Sequence, residues 1–178
     1  MGIIRLNLPT VLTISRIFFI PFFIVFAPTS PVLGTLIFSV ASITDFLDGY
    51  IARKTGQITK FGIILDPIAD KFLVIAALIM LVEMDLLSAI VAILIIIREF
   101  LVTGLRVVAL TKSIVIAAEK GGKFKTVTQI AGIICLLLRD SLFGINLYMP
   151  GTILIWVSLI LALISGVQYT MAFWRKIS

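Results

Sequence analysis

Apolar residues fill most of this chain in six blocks, 8-27, 32-53, 62-82, 86-110, 124-142 and 150-174, separated by short polar or charged breaks. About 20 apolar residues are needed to cross a bilayer, so each block predicts a spanning helix. The second and fourth are long enough to project beyond the lipid. The expected fold class is therefore all-α: an integral membrane protein with six transmembrane helices. Arg16 interrupts the first block and no small-x-small cleavage site follows it, so that block reads as a retained helix and not a signal peptide. No internal repeat, low-complexity stretch or linker divides the sequence, and residues 1-178 read as a single membrane domain.

Composition agrees with the pattern. Hydrophobic residues make up 61% of the chain and charged residues 13%, with a mean hydropathy of +1.22, which is far from the balance of a soluble domain. The formal charge of +6 does not point to nucleic acid, because no basic stripe with interleaved aromatics accompanies it. Its distribution is that of a membrane protein. Arg5, Arg53, Lys54, Lys60, Lys112, Lys120, Lys123, Lys125, Arg175 and Lys176 fall on one side of the six blocks, whereas the opposite connections carry Glu83, Asp85, Asp140 and one base, Arg139. By the positive-inside rule both termini and the 54-61 and 111-123 loops face the cytoplasm. That predicts a multi-pass protein of the cytoplasmic membrane.

Histidine is absent, which removes any mechanism built on an imidazole nucleophile, base or metal ligand. The lone Cys135 offers neither a disulfide nor a thiolate zinc site and reads as a small buried apolar residue. Trp156, Trp174 and Tyr169 read as interface anchors or packing residues.

Four of the nine acidic residues, Asp45, Asp48, Asp66 and Asp70, lie inside the second and third apolar blocks. An isolated carboxylate is costly to remove from water, and ionisable groups within spans usually serve function. On a helix advancing about 100° per residue, Asp45, Asp48, Gly49, Ala52 and Arg53 share one sector of the second block, while Gly62, Asp66 and Asp70 stack on the third. Four carboxylates facing a common space suit hard divalent cations such as Mg2+ or Mn2+, two of which could share bridging oxygens. Gly49 and Gly62 remove bulk on the same faces and permit close approach. Simple ion pairing with Arg53, Lys71 or Arg16 would not require this order of residues, glycines included.

The combined pattern, Asp45-x-x-Asp48-Gly49-x-x-Ala52-Arg53, eight residues, then Gly62-x-x-x-Asp66-x-x-x-Asp70, resembles the signature of the CDP-alcohol phosphatidyltransferases, integral membrane enzymes of phospholipid synthesis. The resemblance implies that two divalent metal ions, Mg2+ or Mn2+, are held by Asp45, Asp48, Asp66 and Asp70, with Asp70 also the general base. It further implies that Gly49, Ala52, Arg53, Thr59 and Gly62 line the site for CDP-diacylglycerol. Arg53 has an independent physical case, since a guanidinium holds phosphate oxygens bidentately. Pro9-Thr10-x-x-Thr13-x-x-Arg16 is similar to the family's first-helix element and adds Thr10 and Thr13 to that site, Thr10 standing where an asparagine is common.

The acceptor alcohol is read from Arg98-Glu99, Arg106 and Gly121-Gly122-Lys123-Phe124-Lys125-Thr126, with Gln129 beyond. Arg98 and Arg106 share a helix face, and the Gly-Gly-Lys stretch precedes the fifth block, where backbone amides can receive an anion. Arg98, Arg106, Lys123 and Lys125 are thus candidates to bind an acceptor's phosphate. The arrangement looks like that of one branch of the family, the phosphatidylglycerophosphate synthases, which implies sn-glycerol 3-phosphate as acceptor, an active site facing the cytoplasm, contact with membrane lipids and a homodimer. Inositol phosphate, serine or phosphatidylglycerol as acceptor, a divalent-cation transporter and a structural scaffold are the alternatives.

Overall fold

The structure, a computed structural model, describes residues 8-55, 60-111, 121-139 and 145-177, without the side chains of 8-14, 16, 45-55, 60-70, 106, 110-111, 121-123 and 177. All regular structure among the described residues is helical, in six elements: α1 (Leu8–Thr29), α2 (Pro31–Thr55), α3 (Lys60–Glu83), α4 (Ala89–Thr111), α5 (Gly121–Leu138) and α6 (Tyr148–Ile177). Each expected block has its helix. The fourth starts later than the expected 86-110, and the fifth starts earlier and ends sooner than the expected 124-142.

Both shifts have local causes. At the end of α3 the Leu86 amide donates to the Leu81 carbonyl at 2.8 Å and the Asp85 amide to the Val82 carbonyl at 3.0 Å. Asp85 sits between them at φ 56°. This is a Schellman ending with aspartate in the left-handed position usually held by glycine, and its apolar contact is supplied by the buried Leu81 and Leu86. The turn consumes Leu86 and Leu87, so α4 begins only after Ser88, whose carbonyl accepts the Ala92 amide. α5 stops where Arg139 turns to φ 29°. There the Arg139 carbonyl accepts from Leu147, and Asn146 Oδ1 caps the start of α6 through the Tyr148 amide at 2.9 Å.

One apolar core runs through all six helices. It includes Phe23, Ala27, Phe38, Leu78, Leu81, Ile95, Ile133, Leu136 and Ile155, each fully shielded. The most extensive contacts are α5 with α6 and α1 with α2, followed by α1 with α3, and α2 also touches α3 and α5. Close approach is obtained by removing side chains. A Cβ on Gly34 would lie 2.6 Å from the Ala27 Cα, so the α1–α2 crossing admits only glycine there. Between α5 and α6, Gly132 faces Ile155 and Gly151 faces Leu136 in the same manner. Small residues at helix crossings are the usual means of packing where lipid removes the hydrophobic drive between helices.

The outer surface is apolar. Phe18, Val25, Ile90, Leu101, Met149 and Trp174 all point outward, and Trp156 joins them while Tyr169 packs inside. α5 shows the inversion within two turns: Phe124 is 72% exposed and Val127 67%, whereas Lys125 and Gln129 are each only 4% exposed. Water would favour the reverse arrangement, and a hydrocarbon surround favours this one. Among the described residues one helical stretch, Tyr148–Lys176, is long and apolar enough to cross a membrane by length and composition, with a mean hydropathy of 2.1. α1 to α4 run 22, 25, 24 and 23 residues.

Candidate functional site

Two helices carry the aspartate pattern. Asp45, Asp48, Gly49, Ala52 and Arg53 lie in the C-terminal half of α2, and Gly62, Asp66 and Asp70 in the N-terminal half of α3. The two helices are in contact, and the helical register is continuous through both segments, as the i, i+3 and i, i+4 spacing requires. The side chains of these residues, and of Thr10 and Thr13 in α1, lie outside the described set, and Thr59 lies outside the described residues altogether. Among the residues whose side chains are described, no group of three or more His, Cys, Asp or Glu is gathered in one place.

A second group of candidate residues meets on α4. Glu99 on α4 is the centre of a cluster in which three cations meet one carboxylate. Lys71 Nζ from α3 donates to its Oε2 at 3.2 Å, Arg98 NH1 donates to its Oε1 at 3.0 Å, and Lys125 Nζ from α5 pairs with the same Oε1. The side chains of Lys71, Arg98, Glu99 and Lys125 are all mostly withdrawn from solvent. Charges so placed persist only when paired and hydrogen-bonded. Arg98 has further partners that fix it: Nε donates to the Ala162 carbonyl at 2.7 Å and NH2 to Ser165 Oγ at 2.5 Å. One guanidinium therefore ties α4 to α6 while presenting an edge to Glu99, which its rigid planar fork allows and an ammonium would not.

Of the four cations expected to serve an acceptor's phosphate, Arg98 and Lys125 come together on Glu99. Arg106 lies in α4 and Lys123 in the first turn of α5, with side chains outside the described set. The Gly121-Gly122-Lys123 stretch forms that first turn instead of preceding the helix, and the first amides of a helix have no intrahelical carbonyl to bond. Lys71 is a member of this cluster that sequence reasoning did not assign to the acceptor site. A lysine inside an apolar block, directly after Asp70, was the available signal, but the choice of Glu99 depends on how α3 and α4 pack.

Next to this cluster a cavity of about 30 Å³ opens between α3, α4 and α5, its polar wall made by Lys71, Glu99, Lys125, Thr126 and Gln129. Its other wall is apolar, from Val74, Ile75 and Leu78 on α3 and Ile95 and Ile96 on α4. Gln129 Nε2 is fully buried there without a hydrogen-bond partner. Because Lys71 follows Asp70 in α3, this polar cavity and the aspartate-bearing stretch adjoin along the same helix.

Comparison with known proteins adds identity to this geometry. The family model described as CDP-alcohol phosphatidyltransferase matches residues 6–164. A Bacillus subtilis (strain 168) protein named CDP-diacylglycerol--glycerol-3-phosphate 3-phosphatidyltransferase is 39% identical, the match covering 96% of this chain and 97% of the relative. Proteins of the same name from Rickettsia typhi and Haemophilus influenzae are 42% and 41% identical, over 93% of this chain and 96% and 92% of their own lengths. With a family match across both the aspartate helices and the Glu99 cluster, and relatives aligned nearly end to end, this membrane-associated chain belongs to the CDP-alcohol phosphatidyltransferase family.

Proposed function

We propose that the protein transfers the phosphatidyl group of CDP-diacylglycerol to sn-glycerol 3-phosphate, forming phosphatidylglycerophosphate and CMP in phospholipid biosynthesis. The observation that carries this is the near full-length similarity to relatives that bear the name of that reaction, 39% identical over 96% of the chain in one case. The protein acts as a single six-span domain of the cytoplasmic membrane, as a homodimer, with its active site at the cytoplasmic face. The charge distribution between the blocks supports that orientation.

Four carboxylates on two touching helices, in a chain without histidine, form a donor set suited to two Mg2+ or Mn2+ ions, with Asp45, Asp48, Asp66 and Asp70 as ligands. When bound, such ions neutralise charge on the pyrophosphate and on the leaving group, which is the main requirement of phosphoryl transfer. Thr10, Thr13, Gly49, Ala52, Arg53, Thr59 and Gly62 serve the CDP-diacylglycerol site, with Arg53 gripping phosphate oxygens. The acceptor's 1-hydroxyl oxygen bonds to the lipid-side phosphorus while the bond from that phosphorus to the pyrophosphate bridging oxygen breaks. CMP leaves with the electron pair, and Asp70 takes the hydroxyl proton. Arg98, Arg106, Lys123 and Lys125 supply the positive charge that draws the acceptor's phosphate.

Purified protein given labelled CDP-diacylglycerol, a divalent cation and, in turn, glycerol 3-phosphate, serine, inositol phosphate or phosphatidylglycerol tests the proposal. CMP release should depend on glycerol 3-phosphate. Release with another acceptor in preference would replace the alcohol, and no release with any would remove the transferase reading.

A further inference from the structure

We propose that Glu99 is a built-in counter-anion of the acceptor site: it holds Lys71 and Lys125 beside the cavity between α3, α4 and α5 and yields them to a phosphate monoester that enters it. Gln129 then donates its side-chain amide to the same phosphate. The inference rests on the acceptor carrying a phosphate, as proposed above, and adds Lys71, Glu99 and Gln129 to the residues that handle it.

Three observations converge. First, the donors come from three helices onto one carboxylate, with Lys71 on Oε2 and both Arg98 and Lys125 on Oε1. A carboxylate with two oxygens takes the place that a phosphate with three could fill. Second, Gln129 Nε2 is a buried donor with no partner, in the wall of the same cavity as Lys71 and Lys125. Buried donors are nearly always satisfied, and this amide is available to an acceptor that enters the cavity. Third, Glu99 lines the same cavity as both lysines, so an anion that enters meets a carboxylate of like charge. Glu99 is the group that like charge would drive away, and Arg98 keeps it paired when it goes. Two of the Arg98 nitrogens are anchored to α6 through Ala162 and Ser165, so the Arg98–Glu99 contact does not depend on either lysine.

A carboxylate that competes with the ligand has an effect of unusual sign when neutralised. Glu99→Gln should tighten binding of inorganic phosphate, measured by equilibrium dialysis of the purified protein with a chelator present to exclude the metal site, by about three- to tenfold. The KM for glycerol 3-phosphate should fall with it, and that for CDP-diacylglycerol should hold. Gln129→Leu should do the opposite: phosphate binding weakens about tenfold, as expected for one lost hydrogen bond to an anion, while the melting temperature stays level or rises because a buried unpaired amide has been removed. If E99Q does not accumulate as folded protein, Q129L decides alone. Phosphate binding unchanged or weaker in E99Q, or unchanged in Q129L, would make the cluster a purely structural ion network and overturn the inference. If the acceptor carries no phosphate, glycerol 3-phosphate turnover fails in every form, wild type included, while the dialysis result still reads the pocket itself.

Discussion

Lys71 on α3 reaches Glu99 on α4 at 3.2 Å, and it does so from the position directly after Asp70. The helix that bears two of the four aspartates thus also supplies one wall of the cationic cavity. A change in the packing of α3 against α4 would therefore act on both. That coupling makes the separate contributions testable by asking which substrate each substitution affects.

Metal dependence is the first expectation. Chelation should stop CMP release, and Asp48→Asn or Asp66→Asn should each reduce turnover by more than the roughly 10- to 100-fold typical of residues that only orient a metal ligand. The proteins should remain folded in detergent, as checked by gel filtration. Full activity in either variant would remove the two-metal scheme.

Acceptor recognition should be separable from lipid recognition. Lys125→Gln and Arg106→Gln each remove a charge-assisted hydrogen bond worth roughly 1.5-3 kcal/mol, or about a tenfold to hundredfold loss in kcat/KM for glycerol 3-phosphate. Steady-state kinetics with each substrate varied should show the KM for CDP-diacylglycerol nearly unmoved. Equal damage to both substrates would assign these cations to folding or topology.

Packing at Gly34 leaves no room for a methyl group, since its nearest neighbour would be the Ala27 backbone itself. Gly34→Ala should cost about 1-3 kcal/mol, the usual penalty of overpacking, seen as a lower thermal midpoint in detergent. A Cβ added at Gly104 would meet nothing within 4 Å, so Gly104→Ala should leave that midpoint level or raise it by favouring the helix.

The turn between α3 and α4 offers a sharper test of local structure. Asp85 occupies a left-handed conformation, φ 56°, which glycine takes without penalty and a β-branched residue takes at a cost of about 1-2 kcal/mol. Asp85→Gly should be neutral or slightly stabilising and Asp85→Val destabilising by that amount, in the same thermal assay. Equal effects from both would mean that the Schellman turn contributes little.

Orientation can be read chemically. In a Cys135→Ser background, cysteine placed at position 57 or 122 should react with a membrane-impermeant thiol reagent only after cells are opened. Labelling of intact cells would reverse the proposed topology.

Much of this molecule was legible in the residues because helices are local objects. The apolar blocks found their six helices, and the spacing of Asp45 and Asp48, and of Asp66 and Asp70, follows a register that any α-helix must repeat. The family followed from the order of those residues with their glycines. The ends of α4 and α5 were misjudged because a continuous apolar run conceals a turn: nothing in the hydropathy of Leu86 and Leu87 distinguishes a helical residue from one in a Schellman cap. What only tertiary packing decided is which charges meet. Nothing in the separate segments brings Lys71 and Lys125 together, yet both converge on Glu99, and Arg98 is tied to Ala162 and Ser165. Those choices depend on the rotation and depth of each helix against its neighbours, which are set by the summed fit of side chains such as Gly34 on Ala27 and Gly132 on Ile155. No single segment carries that information, because a helix face specifies what it presents and not what it will meet.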